Sequence, residues 1–538
     1  MKHLKTWNWL FIISVLLIIP ALFINLGKMS VINDEAIRAL VALEMKISGN
    51  LITPTIGGIL YFHKPPLYNW IILVFYNLFN NYSELVTRGL TVFFLLIFCI
   101  TIYLFTKKEL GKKLAIINAL IFLTCGRILF YDSMRGLIDI GYSWLIYTNM
   151  MLIYYFYQKN KLHYLFLSIY AISGITFLMK GFPTVVFTGI TLFTFFIYMK
   201  KFNLLFNKYH FIGIGLFILM VGSYYLSYYK IEPEAIDNAF MALLDQSTRR
   251  TAFKYGFLDS VIHVFTYPFE WMYHYFPWSL MLPILIIKSI RKRALANPFI
   301  KFNLLIFLFN MIVYWISPEV YARYVLMMLP LIFTVFLFSY KKMKENEPGI
   351  FKAVNIVFLI IAVLLALICL ALPFHPETKN YNYVIISSIL AGALIIFLTI
   401  KYYKTDSLKL FVLIIALLIV RIHFNFFVIQ SRYDRDYATI CKKDALKIAE
   451  KYKEYDLLLY GEINDGYAEF NKVINYESMY YIIKERMQIL HKTDQLNPGK
   501  LYIMEKKDFN NKKFVKLDKM RIKDYRNELY IIELIDEE

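Results

Sequence analysis

Residues 354–372 read VNIVFLIIAVLLALICLAL and contain no charged side chain. An apolar run of this length is long enough to cross the hydrocarbon core of a bilayer as a single helix. Residues 7–26 and 211–229 form runs of the same kind. Hydrophobic residues make up 59% of the 538-residue chain, above the roughly 45–50% that is typical of globular domains. The sequence therefore predicts a polytopic α-helical membrane protein.

Basic residues occupy the short segments between the apolar runs. When the N-terminus is placed in the cytoplasm, the clusters that fall on the cytoplasmic side, as the positive-inside rule requires, are 107–113, 159–161, 200–208, 288–293, 341–344 and 401–409. We therefore assign the net charge of +20 to membrane topology and not to nucleic-acid binding. The first apolar run lacks a small-residue cleavage site, so it is interpreted as a membrane anchor in a bacterial inner membrane.

This topology predicts about thirteen spans. They are 8–27, 86–106, 112–131, 139–157, 162–179, 183–199, 210–229, 271–290, 301–317, 323–340, 351–373, 382–402 and 408–428. The apolar segment 65–79 is not counted, because a span there would invert every later loop. We expect it to lie along the outer interface or to re-enter without crossing. The main external loops are then 28–85 and 230–270.

The chain changes character after residue 428, where charged and apolar residues begin to alternate. The pattern predicts a helix and three strands, at 444–452, 456–460, 500–504 and 528–534. We therefore expect a transmembrane domain at 1–428, which carries the active site, and a small extracytoplasmic α/β domain at 429–538.

Charged side chains beside a bilayer are costly, at about 2.5–3.5 kcal/mol each on insertion scales, so a cluster of them indicates function. The predicted external side collects three carboxylates and three cations, Asp34, Glu35, Asp139, Lys64, Lys180 and Arg323. Taken singly, each has a structural alternative, such as a helix cap for an acid or a lipid-headgroup contact for a cation. Together they suit a phosphorylated lipid and a hydroxyl group, because cations bind phosphate and a carboxylate accepts a proton.

Two external segments add aromatic and basic candidates. Tyr61, His63 and Lys64 precede a pair of prolines that sets the direction of the chain. Loop 230–270 holds Arg249, Arg250 and His263, and its aromatic content fits a sugar-binding lid or an interfacial belt equally well.

Six motifs follow one another along the chain: Asp34-Glu35, the segment from Ser48 to Tyr61-Phe62-His63-Lys64-Pro65-Pro66, the turn at Asp139, Lys180-Gly181-Phe182-Pro183, Pro277-Trp278, and Arg323-Tyr324 before Pro330. This ordered set resembles the GT-C type membrane glycosyltransferases, in particular the group of protein O-mannosyltransferases and the lipid A aminoarabinose transferase. The resemblance implies a similar number of spans, an active site on the extracytoplasmic face and a polyprenyl-phosphate-linked sugar as donor.

The resemblance also implies roles for single residues. Asp34 would be the acid at the reaction centre, Lys64 a ligand of the donor phosphate, and Asp139 a further active-site carboxylate. From charge and position alone we add Glu35 to the catalytic candidates and Lys180, Arg323 and Tyr324 to the phosphate-binding ones. Tyr61, Arg249 and Arg250 are added as residues that would contact substrate.

A metal is an open question at this stage. The aminoarabinose transferase has an acidic residue directly before the loop lysine, where this chain has His63. In that relative the acidic residue joins a histidine of a later external loop at a metal, so His63 and His263 are the candidate ligands. Two histidines alone favour core or interface roles, and no cofactor is required.

The expected reaction is a single inverting displacement that moves a sugar to a lipid A-like lipid or a protein. The other partners are membrane lipids. A transporter or flippase of lipid-linked sugars is an alternative, although it would place polar or broken helices at the midplane of the bilayer. A ligase that transfers a preassembled glycan is another.

Overall fold

The computed structural model describes residues 2–248, 256–405, 408–461, 473–509, 514–523 and 528–534. The helices in its first half are α1 (Lys2–Phe23), α2 (Asn33–Ser48), α3 (Leu67–Phe79), α4 (Glu84–Leu110), α5 (Lys112–Leu123), α6 (Gly126–Phe130), α7 (Asp139–Gln158), α8 (Leu162–Lys180), α9 (Pro183–Tyr198), α10 (Lys208–Ile231) and α11 (Ile236–Thr248). A short hairpin of β1 (Thr55–Ile56) and β2 (Ile59–Leu60) lies between α2 and α3.

The second half continues with α12 (Phe257–His274), α13 (Lys288–Ala296), α14 (Pro298–Trp315), α15 (Leu329–Asn346), α16 (Pro348–Ala371), α17 (Val384–Tyr402), α18 (Lys409–His423), α19 (Ile429–Arg435), α20 (Tyr437–Lys451) and α21 (Tyr476–Arg486). Its strands are β3 (Leu457–Tyr460), β4 (Lys492–Thr493), β5 (Leu501–Glu505), β6 (Phe514–Arg521) and β7 (Glu528–Leu534). Short 3₁₀ segments include Asp132–Met134, Trp278–Ile286 and Ala322–Met328.

Within the described residues, 8 helices are long and apolar enough to cross a membrane, or up to 9 if the bent pair formed by α5 and the segment Gly126–Met134 is one span. The eight are Glu84–Leu110, Leu162–Lys180, Lys208–Ile231, Pro298–Trp315, Ala322–Asn346, Pro348–Phe374, Val384–Tyr402 and Lys409–Arg435. The chain is therefore an integral, multi-pass membrane protein. The count of about thirteen is not confirmed, since α1, α7 and α9 fall outside this set.

The predicted span 271–290 is wrong as a continuous helix. Helix α12 ends at His274, the 3₁₀ segment Trp278–Ile286 follows, and α13 begins only at Lys288. Pro277 and Pro283 explain the break, because proline lacks the backbone N–H that continues a helix and its ring clashes with the preceding turn.

The same segment meets the bend of 48° between α5 and Gly126–Met134. The Gly126 N–H donates to the Phe276 carbonyl at 2.9 Å, and a Cβ at Gly126 would lie only 2.8 Å from that oxygen. Glycine is therefore required at the bend, where two irregular segments touch.

Helix α3 has 13 residues and is about 20 Å long, less than the roughly 30 Å of a hydrocarbon core. This length is in keeping with a segment that does not cross. Val74 and Leu78 are largely exposed.

The C-terminal region holds a five-stranded sheet with the order β4-β3-β5-β7-β6. β3 pairs in parallel with β4 and β5, whereas β7 is antiparallel to β5 and β6. Helix α21 of this region packs on α2, and it thereby joins the C-terminal region to the N-terminal part of the chain.

A buried ion pair ties α2 to α4. Arg88 Nε and Nη2 donate to the two carboxylate oxygens of Glu35 at 2.7 and 3.0 Å, and the Gly136 N–H donates to the same carboxylate at 2.8 Å. The Arg88 guanidinium also donates to the carbonyls of Leu26, Met29 and Ser30. Glu35 is fully buried, so this pair joins two helices and two turns.

Removing one partner of this pair should destabilise the protein. In either Glu35→Gln or Arg88→Met a buried charge remains without its partner, which costs about 3–5 kcal/mol. We expect a lower unfolding temperature in detergent for both variants, and no change for Asp34→Asn, whose carboxylate is exposed. A Glu35→Gln protein as stable as wild type would contradict this structural role.

Candidate active site

The N-terminus of α2 is capped from the C-terminal region. Ile32 stands at the cap position and offers no side-chain acceptor. Instead Glu477 Oε1, on α21, accepts from the Asn33 N–H at 2.9 Å, and the Tyr481 hydroxyl accepts from the Val31 N–H at 2.9 Å. A carboxylate at this end of a helix is favoured by the helix dipole. Helix α21 therefore fixes the backbone directly before Asp34.

Arg323 joins two carboxylates that are far apart in sequence. Its Nη2 donates to Asp34 Oδ2 at 2.8 Å, across 289 positions, and its Nε lies 3.3 Å from Asp139 Oδ2. Lys180 Nζ donates to Asp139 Oδ1 at 2.6 Å. The ends of α2, α7 and α8 and the segment before α15 therefore converge on one cluster, as the sequence predicts.

Aromatic rings support both cations of this cluster. Lys180 Nζ lies 4.9 Å from the ring centre of Tyr142 and 4.5 Å from that of Tyr324. The Arg323 guanidinium lies 4.4 Å from the ring centre of Tyr321. Rings at these distances attract a cation and limit its movement.

The loop that carries Lys64 is held on α2 by a buried carboxylate. Glu44 accepts hydrogen bonds from Thr55 Oγ1 and from the backbone N–H groups of Gly57 and Gly58. These bonds fasten the β1–β2 hairpin, from which the chain continues to Lys64. Burial raises the pKa of Glu44.

Arg38 and Lys64 bring further positive charge to the cluster. Arg38 Nη2 donates to the Tyr61 hydroxyl at 3.0 Å, while its Nη1 is buried and has no hydrogen-bond partner in the described part of the chain. Burial, together with the positive charges of Arg38 and Lys180, lowers the pKa of Lys64 to about 7, although Asp34 and Asp139 act in the opposite direction. Lys64 therefore stands among like charges.

The cluster carries more positive than negative charge. Its cations are Arg38, Lys64, Lys180 and Arg323, and its carboxylates are Asp34 and Asp139. The two carboxylates pair with Lys180 and Arg323. Among the described residues, Arg38 and Lys64 form no ion pair, so two positive charges are left to attract an anion.

The two carboxylates differ in exposure. The Asp34 side chain is 55% exposed and that of Asp139 only 6%. Asp139 contacts two cations, whereas Asp34 contacts one through Oδ2. Asp34 is therefore the carboxylate that a second molecule can reach.

Asp132 lies in a separate pair with Arg127, at 3.2 Å. The chain turns between Asp132 and Asp139, since α7 begins at Asp139. A Cβ at Gly136 would lie 2.9 Å from Thr87 Cβ, so the close packing of this turn requires glycine. The two acids therefore do not share one helical face.

The remaining predicted residues lie elsewhere. Glu35 is held away from solvent by Arg88, which favours a structural role over catalysis. Arg249 and Arg250 lie outside the described residues. His263 Nδ1 hydrogen-bonds the Trp315 carbonyl, and the His63 ring packs against Tyr61. No group of three or more His, Cys, Asp or Glu in the described ranges is arranged to hold a metal, and metal binding stays a prediction.

Comparisons with known proteins bear on the fold. Residues 63–228 match the family model described as dolichyl-phosphate-mannose-protein mannosyltransferase. The structure of ArnT from Cupriavidus metallidurans bound to undecaprenyl phosphate superposes with a TM-score of 0.68 at 14% identity, over 98% of each chain. Its apo structure gives 0.67. The chain thus has the fold of a GT-C type membrane glycosyltransferase, and the resemblance inferred from its sequence is confirmed.

Two sequence relatives match smaller parts of the chain. An uncharacterized protein of Aquifex aeolicus is 24% identical over 370 residues, which are 67% of this chain and 70% of that protein. The undecaprenyl phosphate-alpha-4-amino-4-deoxy-L-arabinose arabinosyl transferase of Pseudomonas savastanoi pv. phaseolicola is 26% identical over 161 residues, or 28% of either chain.

The lowered pKa of Lys64 is testable by the pH dependence of its reaction with an amine-directed label. Because only the neutral amine reacts, labelling followed by mass spectrometry should reach half its maximal rate near pH 7. Arg38→Met should move this midpoint upward, since the variant removes a neighbouring positive charge. A wild-type midpoint close to the ordinary lysine pKa of about 10.4 would contradict the proximity of these cations.

Proposed function

We propose that this protein transfers a sugar from a polyprenyl-phosphate donor to a hydroxyl acceptor at the extracytoplasmic face of the membrane. The observation that carries the proposal is the pair of unneutralised cations, Arg38 and Lys64, beside the exposed carboxylate of Asp34. A phosphate-linked donor needs cations to bind its phosphate, and a hydroxyl acceptor needs a carboxylate to take its proton.

Arg38 and Lys64 are assigned to the donor phosphate. The free Nη1 of Arg38 and the Lys64 ammonium supply donors without first breaking an ion pair. Charge-assisted hydrogen bonds of this kind are stronger than neutral ones. They also gain strength as the leaving group develops its second negative charge, which favours the transition state over the bound substrate.

Asp34 is assigned as the general base. Its Oδ2 accepts from Arg323, which orients the carboxylate, and the side chain is open to a second substrate. Asp139 is a poorer base, because Lys180 and Arg323 both stabilise its ionised form. We assign Asp139, Lys180 and Tyr324 to holding Arg323 and the rim of the phosphate site in place.

The reaction follows as one balanced step. The acceptor oxygen attacks the anomeric carbon and its proton passes to Asp34. The bond between the anomeric carbon and the phosphate oxygen breaks, and both of its electrons leave with the polyprenyl phosphate. Attack from the side opposite to the leaving group inverts the configuration at the anomeric carbon.

The sidedness follows from the basic clusters. Helix α4 extends from Arg88 near the site to Lys107 and Lys108 at its other end. Lysines concentrate on the cytoplasmic side of membrane proteins, so the site faces away from the cytoplasm. The acceptor is a lipid A-like lipid or a protein presented at that face. ArnT, whose structure was determined with undecaprenyl phosphate, supports the choice of donor class.

The proposal is tested with purified protein in nanodiscs and a radiolabelled polyprenyl-phosphate sugar. Wild type should move label to a lipid or protein acceptor. Asp34→Asn should lower the turnover rate by about 10²–10⁴-fold while the KM for the donor changes little, because a general base acts in the chemical step.

Glu377→Gln is the matched control. Glu377 is also an exposed carboxylate paired with an arginine, Arg435, at 2.6 Å, but it lies outside the cluster. The transfer activity of the Glu377→Gln variant should remain near that of wild type. Full activity in Asp34→Asn would remove Asp34 from the base role, and transport of the labelled donor without transfer would identify a flippase instead.

A further inference from the structure

A cavity lies at the opposite end of the helices from the candidate site. Its volume is about 390 Å³, and it is lined where the ends of α1, α4, α5, α15, α16 and α18 meet. On α4, Arg88 near the candidate site and Leu110 at the cavity are separated by about 33 Å of helix. The two sites therefore lie at opposite ends of α4.

The mouth of this cavity is positively charged. Its lining residues include Lys112, Lys113, Lys341 and Lys344, and no carboxylate is among them. The neighbouring carboxylate of Glu345 is already paired with Lys342 at 2.8 Å. The four lysines are exposed, and no lining carboxylate neutralises their positive charge.

The inner wall is apolar and aromatic. It includes Trp7, Ile117, Phe351 and Leu410. Lys113 Nζ lies 5.3 Å from the Trp7 ring centre and Lys344 Nζ lies 5.9 Å from that of Phe351, so both ammonium groups lie beside aromatic rings of the wall. The cavity thus combines exposed lysines with an apolar, aromatic wall.

We infer that this cavity binds one anionic phospholipid from the cytoplasmic leaflet. The lysines contact its phosphodiester, and the start of one acyl chain lies against the apolar wall. Basic pockets between transmembrane helices on the cytoplasmic side suit anionic headgroups. The positive-inside rule accounts for lysines on this face, but it does not require four of them to surround one cavity. The inference is independent of the proposed transfer reaction.

Native mass spectrometry of the full-length protein tests the inference. The protein is reconstituted with dioleoyl phosphatidylglycerol or with dioleoyl phosphatidylcholine, and the lipids retained after detergent transfer are counted. Wild type should retain one more phosphatidylglycerol than the variant K112Q/K113Q/K341Q/K344Q, whose affinity for that lipid should fall by about 10-fold or more. Phosphatidylcholine should show no such difference.

The matched control is K200Q/K201Q/K208Q/K292Q. It removes four lysines that are also exposed and belong to the basic clusters of the same face, but that do not line the cavity. It should retain phosphatidylglycerol like wild type. Equal loss in both variants would overturn the inference, because charge alone would then explain retention. Retention of undecaprenyl phosphate in place of phosphatidylglycerol would overturn it as well.

A second variant is needed in case the glutamine variant does not fold. K112R/K113R/K341R/K344R keeps the charge and should keep the retained lipid. Phosphatidylglycerol should also raise the unfolding temperature of wild type above the value in phosphatidylcholine, since a ligand that binds only the folded state stabilises it. An unfolding temperature that does not depend on the headgroup would contradict the inference.

Discussion

The contact of Arg323 with Asp34 and Asp139 is the interaction on which the candidate site depends. It gathers chain segments that lie far apart in sequence and neutralises charges that are costly beside a bilayer. Because Arg323 and Lys180 take up both carboxylates, Arg38 and Lys64 are left without ionic partners among the described residues. Such an excess of positive charge is costly, and a bound anion relieves it, which suits the site to a phosphate group.

The site also depends on the C-terminal region. Glu477 and Tyr481 hold the backbone before Asp34, and Lys442 pairs with Glu84 at the start of α4. These contacts join the region after residue 428 to the two helices that the buried Glu35–Arg88 pair connects. The composition of the chain changes at residue 428, but the contacts that support Asp34 cross this boundary.

Much of the site is predictable because charges stand out in an apolar sequence. Asp34, Asp139, Lys180 and Arg323 each border an apolar run, and a single topology places all four on one face. The pairing is harder to foresee. Arg88 lies 53 positions from Glu35, inside an apolar run, so nothing local identifies Glu35 as a buried structural acid.

Irregular helices set a second limit on prediction. The break near Pro277 and the bend at Gly126 depend on one another through a backbone contact, which hydropathy does not register.

The excess positive charge of the cluster is a further property that appears only in three dimensions. A structure of the protein with a bound polyprenyl phosphate tests most directly whether this excess charge binds the donor phosphate. The account predicts the phosphate within hydrogen-bond distance of Lys64 Nζ and Arg38 Nη1; a phosphate bound elsewhere, with these two groups facing only protein, would contradict it.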